Sequence, residues 1–427
     1  MIWLLIVYLV IPNSYWTGSA PVATATAMAE GNAAARAIKI GLIVLSALVL
    51  LWRSSLGILL LRTLNPFFLV FLGLVPLSIL WSVDPSATTN RYVSVLSIAL
   101  TCFAFVLVGW HQRRFQNVVR PVVTLLLIAS LVFGYLHPEL AIEAGEQGSL
   151  KDSWHGLASQ KNQFGELASF GVLFWLHAWL YREAKWQLAL PCLGVAWTCI
   201  VLSRSSTSLL TSVLSTVFML QMVSVPMNLQ RYMPYFVSGF AVIVMIYALA
   251  VLDLIPGLSV ILKPIAVLTG KDLTFTGRSA IWDIIKEHIQ SARLLGSGYG
   301  AYWTGESPNS PSYMVFTTRM YFYPSEAHNG YLEIVNDLGF VGLACLLGYL
   351  LVWVKQSLRL MKFDRAQAVL FLAIFFQQAI TNLSESTWFA INSAFAIAVV
   401  TLATFAMARA LLEQRLTLRF GNRGASP

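Results

Sequence analysis

Twelve long apolar runs divide this 427-residue chain, and their spacing constrains its fold more than any other feature. A hydrocarbon core of about 30 Å takes roughly 20 apolar residues per spanning helix, with about 17–25 usual. Runs over 2–12, 38–52, 66–81, 91–110, 120–136, 163–181, 187–203, 206–223, 232–254, 331–354, 366–381 and 387–408 approach or meet that length, the first three being short. Hydrocarbon offers an open backbone no partner, so such spans are helical. Charged residues make up 11% of the chain, against roughly 25% in soluble domains. The predicted class is an all-α integral membrane protein with about 12 transmembrane helices. Met1–Ile11 lacks the basic n-region of a signal peptide and is expected to be an anchored first helix.

Lysine and arginine placement sets the orientation. Arg409, Arg415, Arg419 and Arg423 mark the carboxyl tail as inside, and alternating backwards puts Lys355, Arg359, Lys362, Arg365, Arg231, Arg182, Lys185, Arg113, Arg114, Arg120, Arg53 and Arg62 inside as well. Both termini are then cytoplasmic. The net charge of +9 reflects this bias and does not indicate nucleic-acid binding. Cys102, Cys192, Cys199 and Cys345 all fall within proposed helices, so neither a disulfide framework nor a zinc spacing is visible.

Two outer segments exceed the length of plain connectors. One is 137–160, with Glu139, Glu143, Glu146, Asp152, Trp154 and His155. The other, 253–330, is too rich in aromatic residues for a disordered loop, among them Phe275, Tyr313, Phe316, Tyr321, Phe322 and Tyr323. It reads as a folded extracytoplasmic cap. The expected organisation is spans one to nine over 1–252, the cap over 253–330, spans ten to twelve over 331–408, and a cytoplasmic tail over 409–427. Inside the cap, Ile281, Ile285, Ile289 and Ala292 form one apolar helical stripe, with Thr276 as N-cap and Gly296 as stop. Gly296-Ser-Gly-Tyr-Gly300 reads as a flexible turn. It follows no strand and opens no βαβ unit, which excludes a dinucleotide fingerprint.

Helices running inward direct their N-terminal ends, and the partial positive charge there, to the outer face. Three such ends are unusually polar: Lys161-Asn162-Gln163, Arg204-Ser-Ser-Thr-Ser208, and His328-Asn329-Gly330-Tyr331. Arg278 adds a fourth at the first turn of the cap helix. Arginine and lysine beside hydroxyl donors suit a phosphate or pyrophosphate at headgroup level. The plain alternatives are that Arg204 and Lys161 anchor helices by snorkelling, and that Arg278 pairs with a nearby carboxylate such as Asp283. His328, near its ordinary pKa of about 6.5, suits a proton acceptor, and Glu326 stands two positions away. Tyr299, Trp303 and Tyr331 offer faces for sugar rings, or serve as interfacial anchors. His111 and His177 read as structural, and His155 and His288 as weak candidates. No Asp or Glu cluster at metal-ligand spacing is visible in the outer loops, so no metal or other cofactor is expected.

Four stretches, in order, resemble the O-antigen ligase and Wzy-type polysaccharide polymerase superfamily: Leu202-Ser-Arg-Ser-Ser-Thr207, Thr276-Gly-Arg-Ser-Ala-Ile-Trp282, Gly296-Ser-Gly-Tyr-Gly300 and Ala327-His-Asn-Gly-Tyr-Leu332. Ser159-Gln-Lys-Asn-Gln-Phe-Gly165 is similar to the Lys-Asn motif of the succinoglycan-polymerase-like branch, which often has His where Gln160 stands. The resemblance covers roughly 90–400 and implies a GT-C-like, metal-independent glycosyltransferase. Such an enzyme moves a saccharide from undecaprenyl pyrophosphate to an acceptor hydroxyl at the periplasmic face of a bacterial inner membrane. It implies that Arg204 and Arg278, helped by Lys161, bind pyrophosphate and that His328 assists the acceptor, with Asn162, Asn329, Tyr331, Tyr299 and Trp303 as weaker substrate contacts. Implied partners are the lipid-linked oligosaccharide, membrane lipids, a chain-length regulator and export machinery.

Two alternatives stay open. A ligase would take a lipid A-core or other separate acceptor, whereas the Lys161-Asn162 pair favours a polymerase. A lipid-linked oligosaccharide flippase would also bind pyrophosphate. Transporters, however, tend to hold charge at mid-membrane and repeat in halves, and here the charges sit at helix ends.

Overall fold

The computed structural model describes residues 1–11, 33–109, 115–143, 152–224, 278–304, 324–390 and 393–421, with isolated positions between 232 and 246. The expected span 232–254 therefore lies mostly outside the described residues. So do Thr276, Phe275, Tyr313, Phe316, Tyr321, Phe322 and Tyr323 of the cap, and Glu146, His111, Arg113, Arg114, Arg231 and Arg423.

The described elements are helical, apart from one two-residue ribbon. They are α1 (Ile2–Val10), α2 (Ala33–Trp52), α3 (Ser54–Leu61), α4 (Pro66–Leu77), α5 (Pro85–Val108), α6 (Phe115–Leu136), α7 (Pro138–Ala141), β1 (Ile142–Glu143), β2 (Ser153–Trp154), α8 (Lys161–Leu180), α9 (Trp186–Ser203), α10 (Ser206–Ser224), α11 (Arg278–Ser291), α12 (Gly330–Leu360), α13 (Arg365–Thr381) and α14 (Ala394–Gly421). Among the described residues, six helices are long and apolar enough to cross a membrane, or seven if a pair bent by 94° between α2 and α3 counts as one span. The chain is a multi-pass, all-α membrane protein. Several boundaries differ from the sequence reading, two of them near the ends of spans. Residues 54–61, read as part of an inside connection, are helical because Leu56, Ile58, Leu59, Leu60 and Leu61 keep the stretch apolar. The last helix begins at Ala394 and not at 387.

Helix α8 is the axis of the site. It is enclosed by α6, α9, α10 and α13, and every residue from Phe164 to Ala178 is buried. A helix buried all round has no solvent or lipid face and so shows no apolar stripe. Close approach needs small residues: a Cβ on Gly165 would lie 2.5 Å from the Ser208 hydroxyl of α10.

The glycine-rich turn of the cap is docked, where the sequence suggested a flexible one. Helix α12 breaks at Gly339 (φ 64°, ψ −164°). The break frees backbone groups that need partners. Ser297 N donates to Asn336 O at 3.0 Å and Gly298 N to Asp337 O at 2.9 Å, while Phe340 N donates to Arg293 O at 2.9 Å. Asp337 Oδ2 accepts Gly300 N at 2.8 Å, and Arg91 of α5 donates to the Gly300 carbonyl. Cap helix α11 packs on α12 through Ile281 and Ile285, both buried as its stripe predicts, and Trp282 Nε1 donates to Ala327 O at 2.9 Å. The turn thereby fixes α11, and α11 fixes Arg278.

Candidate active site

Arg278, His328 and Asn162 converge on Glu385, a residue the sequence reading did not single out. The Arg278 guanidinium donates to Glu385 Oε1 at 2.9 Å and also to the Ser384 carbonyl. Asn162 Nδ2, in the first turn of α8, donates to the same Oε1 at 3.1 Å. The other oxygen, Oε2, stands 3.4 Å from His328 Nδ1, and Glu326 Oε1 stands 3.2 Å from the same nitrogen. Arg278 therefore pairs with Glu385 and not with Asp283, which lies 4.0 Å from Lys286.

Two local structures present these groups. Asn382, at the end of α13, accepts Thr387 N at 2.9 Å and Trp388 N at 2.7 Å on its side-chain oxygen, closing a turn that holds Glu385 out. Its backbone carbonyl accepts Gly330 N at 3.0 Å. Gly330 is required there, because a Cβ would come within 1.8 Å of Asn382 Oδ1. Asn329 caps α12 by accepting Tyr331 N and Leu332 N, both at 3.1 Å, and its own N–H donates to Ser386 Oγ at 3.1 Å. Between these anchors His328 is held at φ 50°. A left-handed non-glycine residue is uncommon and costs of order 1–3 kcal/mol. The fixed neighbours on both sides hold it.

The electrostatics of the cluster define its protonation. Burial pushes His328 down, but the Glu326 charge and the Glu385 hydrogen bond outweigh it and hold the imidazole above its ordinary value. Burial pushes Glu385 up, and His328 and Arg278 outweigh that and leave it low, hence ionised. For Glu326 burial dominates and raises the carboxyl. With an ionised acceptor at Nδ1, that nitrogen carries the proton in the neutral ring and Nε2 is the basic one.

The remaining expected residues divide into a rim and a core. Lys161 lies within electrostatic reach of Glu143, Glu385, Arg204 and Arg278, so the three cations share one neighbourhood. Arg204 is the left-handed C-cap of α9 (φ 49°), 54% exposed, with Asp152 at 3.9 Å. By contrast, Tyr299, Trp303 and Tyr331 are each only 1% exposed. Tyr299 donates to the Phe389 carbonyl and Tyr331 to Ala379 O at 3.3 Å. These rings are core, and the sugar-stacking faces expected of them are covered by protein. His155 Nδ1 meets Ala158 O at 2.9 Å, His288 packs on Tyr302, and His177 Nε2 meets Ala366 O at 2.8 Å.

Folding also assembles what sequence spacing hid: Glu326, His328 and Glu385 bring one donor atom each within 4.8 Å of one another, a group able to hold a metal ion. Two carboxylates and an imidazole suit several divalent cations, but Arg278 already places a positive charge on Glu385. Below the cluster, side chains of α8, α10 and α13 line a small cavity of about 10 Å³, room for about one water molecule.

The O-antigen ligase family model matches residues 190–347, a stretch that contains Arg204, Arg278 and His328. The exopolysaccharide production protein ExoQ of Rhizobium meliloti (strain 1021) is 28% identical over 305 residues, covering 68% of this chain and 64% of the relative. In its motifs and in both matches the chain is similar to the O-antigen ligase and Wzy-type, exopolysaccharide-polymerase-like membrane proteins.

Proposed function

We propose that this protein is a metal-independent glycosyltransferase that extends an exopolysaccharide or related polymer from undecaprenyl-pyrophosphate-linked oligosaccharide units. The reading adopts twelve spans with both termini cytoplasmic, the cap over 253–330 on the periplasmic face of a bacterial inner membrane, and work alongside a chain-length regulator and export machinery. Its main support is the meeting of Arg278, His328 and Asn162 on Glu385 beside the cations Lys161 and Arg204.

The chemistry follows from those groups. An acceptor hydroxyl gives its proton to His328 Nε2 as its oxygen attacks the anomeric carbon. The bond from that carbon to the pyrophosphate oxygen breaks, and the electron pair leaves with the lipid pyrophosphate. Glu385, hydrogen-bonded at Nδ1, orients the ring and stabilises the imidazolium that forms. Arg278, Arg204 and Lys161, with the N-terminal end of α8, stabilise charge growing on the leaving group without needing a cation. Direct displacement on one face inverts the anomeric centre.

The Lys161-Asn162 pair favours a polymerase, and the name of the relative connects the reading to exopolysaccharide production; the description of the family model keeps the ligase as second reading. Purified protein in nanodiscs, given undecaprenyl-pyrophosphate-linked repeat units and excess chelator, decides. A product ladder made by the wild type and lost in His328→Ala is the expected result. Transfer in a single step, appearing only with a lipid acceptor, identifies a ligase. Activity abolished by chelator and restored by a divalent cation overturns metal independence and turns attention to the Glu326, His328 and Glu385 group.

A further inference from the structure

Glu333, one turn into α12, is buried and takes no part in the proton and charge movements of the proposed reaction. Its Oε2 accepts the Ala327 N–H at 2.5 Å, on the residue before His328. The same oxygen accepts the Ser386 hydroxyl at 3.4 Å, on the residue after Glu385. Ser386 Oγ in turn accepts the Asn329 N–H at 3.1 Å, on the residue after His328. The amides on both sides of the left-handed His328 thus end on one carboxylate oxygen, directly or through one hydroxyl. An acid in the first turn of a helix often serves only its own helix, through the dipole or by returning to the N-cap amide in a capping box. Glu333 stands one position too late for the box, and its oxygen is turned outward to Ala327 and Ser386. A carboxylate out of water is costly unless it is hydrogen-bonded. Here two donors meet it, and Arg91 lies within its electrostatic reach.

We infer that Glu333 is a positioning residue for the transfer, holding His328 in its left-handed conformation and fixing the ring against Glu385. The inference deepens the glycosyltransferase reading and rests on it. His328 and Glu385 belong to loops 57 positions apart, and the 3.4 Å between Nδ1 and Oε2 depends on how those loops are joined. Gly330 N and Asn329 Nδ2 bond the far side of the Glu385 turn, at the Asn382 and Leu383 carbonyls. Glu333 and Ser386 act beside Glu385 itself. A left-handed non-glycine residue persists only where its surroundings over-determine it, and a misplacement of about 1 Å at a reacting group can cost about 10²-fold in rate. Arg204, Lys161 and Arg278, the proposed pyrophosphate ligands, stand on other helices. Loss of the clamp should therefore lower kcat and leave donor KM in place.

The test compares Glu333→Ala, Glu333→Gln and Ser386→Ala with the wild type, all as full-length protein in nanodiscs. Hydrogen–deuterium exchange is read over peptides covering 325–331, and kcat and KM are measured with undecaprenyl-pyrophosphate-linked repeat units. In Glu333→Ala, exchange over 325–331 should quicken while the other helices keep their rates. Its kcat should fall about 10²-fold at unchanged donor KM. Glu333→Gln keeps an acceptor oxygen and should recover most of both. Ser386→Ala cuts only the arm to Asn329 and should show a smaller fall; it serves if alanine at 333 does not fold. Wild-type kcat in Glu333→Ala, unchanged exchange over 325–331, a loss that glutamine does not relieve, or a rise in KM that accounts for the loss overturns the inference. Exchange that quickens throughout the helices in every variant also overturns it, since Glu333 then supports the fold at large. If the wild type transfers nothing, the transferase reading fails, and the exchange pattern still decides whether Glu333 holds the His328 loop.

Discussion

The Arg278 guanidinium donates to Glu385 Oε1 at 2.9 Å across 107 positions of sequence, joining the cap helix to the turn between α13 and α14. That bond, with His328 on the second oxygen, makes Glu385 the common partner of the proposed base and a proposed pyrophosphate ligand. Glu385→Gln keeps the size but turns an acceptor into a group with one donor end. Turnover is expected to fall about 10²-fold or more, the range for losing a well-placed acid–base apparatus. Retained helicity and unchanged detergent elution would show that the loss is chemical. Wild-type turnover in this variant would remove Glu385 from the mechanism.

The pH profile carries a sign. The acceptor proton goes to a neutral imidazole, so activity rises with pH through the His328 pKa. Burial depresses that pKa, but Glu326 and Glu385 raise it further, so the acidic limb of the wild type is expected above about 6.5. Glu385→Gln removes one raising charge and should move the limb to lower pH. Arg278→Ala removes a lowering charge and should move it higher. Residual activities measured across pH in both variants check this, and shifts in the same direction would contradict it.

Tyr299 tests the distinction between core and sugar contact. Its ring is 1% exposed and its hydroxyl donates to the Phe389 carbonyl. Tyr299→Phe leaves that carbonyl without its partner and should cost about 1 kcal/mol of stability. KM for the lipid-linked donor should not move. A lowered melting temperature with unchanged KM is the expected pair of results; the reverse pair would restore the stacking role.

Much of this arrangement was legible in the chain. Apolar runs placed most helices within a few residues, and the stripe of Ile281 and Ile285 identified the buried face of α11. Arg278 and His328 were found because they stand in motifs at helix ends. Glu385 was not, because its importance comes from a turn closed by Asn382 that meets residues of three distant segments. Its signal was slight: the single carboxylate in Asn382-Leu-Ser-Glu-Ser-Thr387, a polar turn between two apolar runs. Gly296–Gly300 looked flexible because glycine content reports permitted conformations, whereas the break at Gly339 that holds the turn depends on tertiary fit. The aromatic residues misled for a related reason, since a tyrosine at a membrane surface and one in a core have the same local sequence.

Arg204 separates an anchoring role from a catalytic one most cleanly. Its side chain is 54% exposed and its carboxylate neighbour Asp152, at 3.9 Å, is 65% exposed, so their pairing adds little to stability. Its backbone is left-handed at the end of α9, the position where glycine is favoured. Arg204→Gly should therefore fold with a melting temperature equal to or slightly above that of the wild type. If the guanidinium holds pyrophosphate, the same variant should raise KM for the lipid-linked donor about 10- to 100-fold, the equivalent of one charge-assisted contact. Arg204→Lys should recover only part of that loss, because an ammonium cannot grip two phosphate oxygens at once. A snorkelling anchor gives the opposite pattern, with reduced stability or insertion in Arg204→Gly, full recovery by lysine and an unchanged KM.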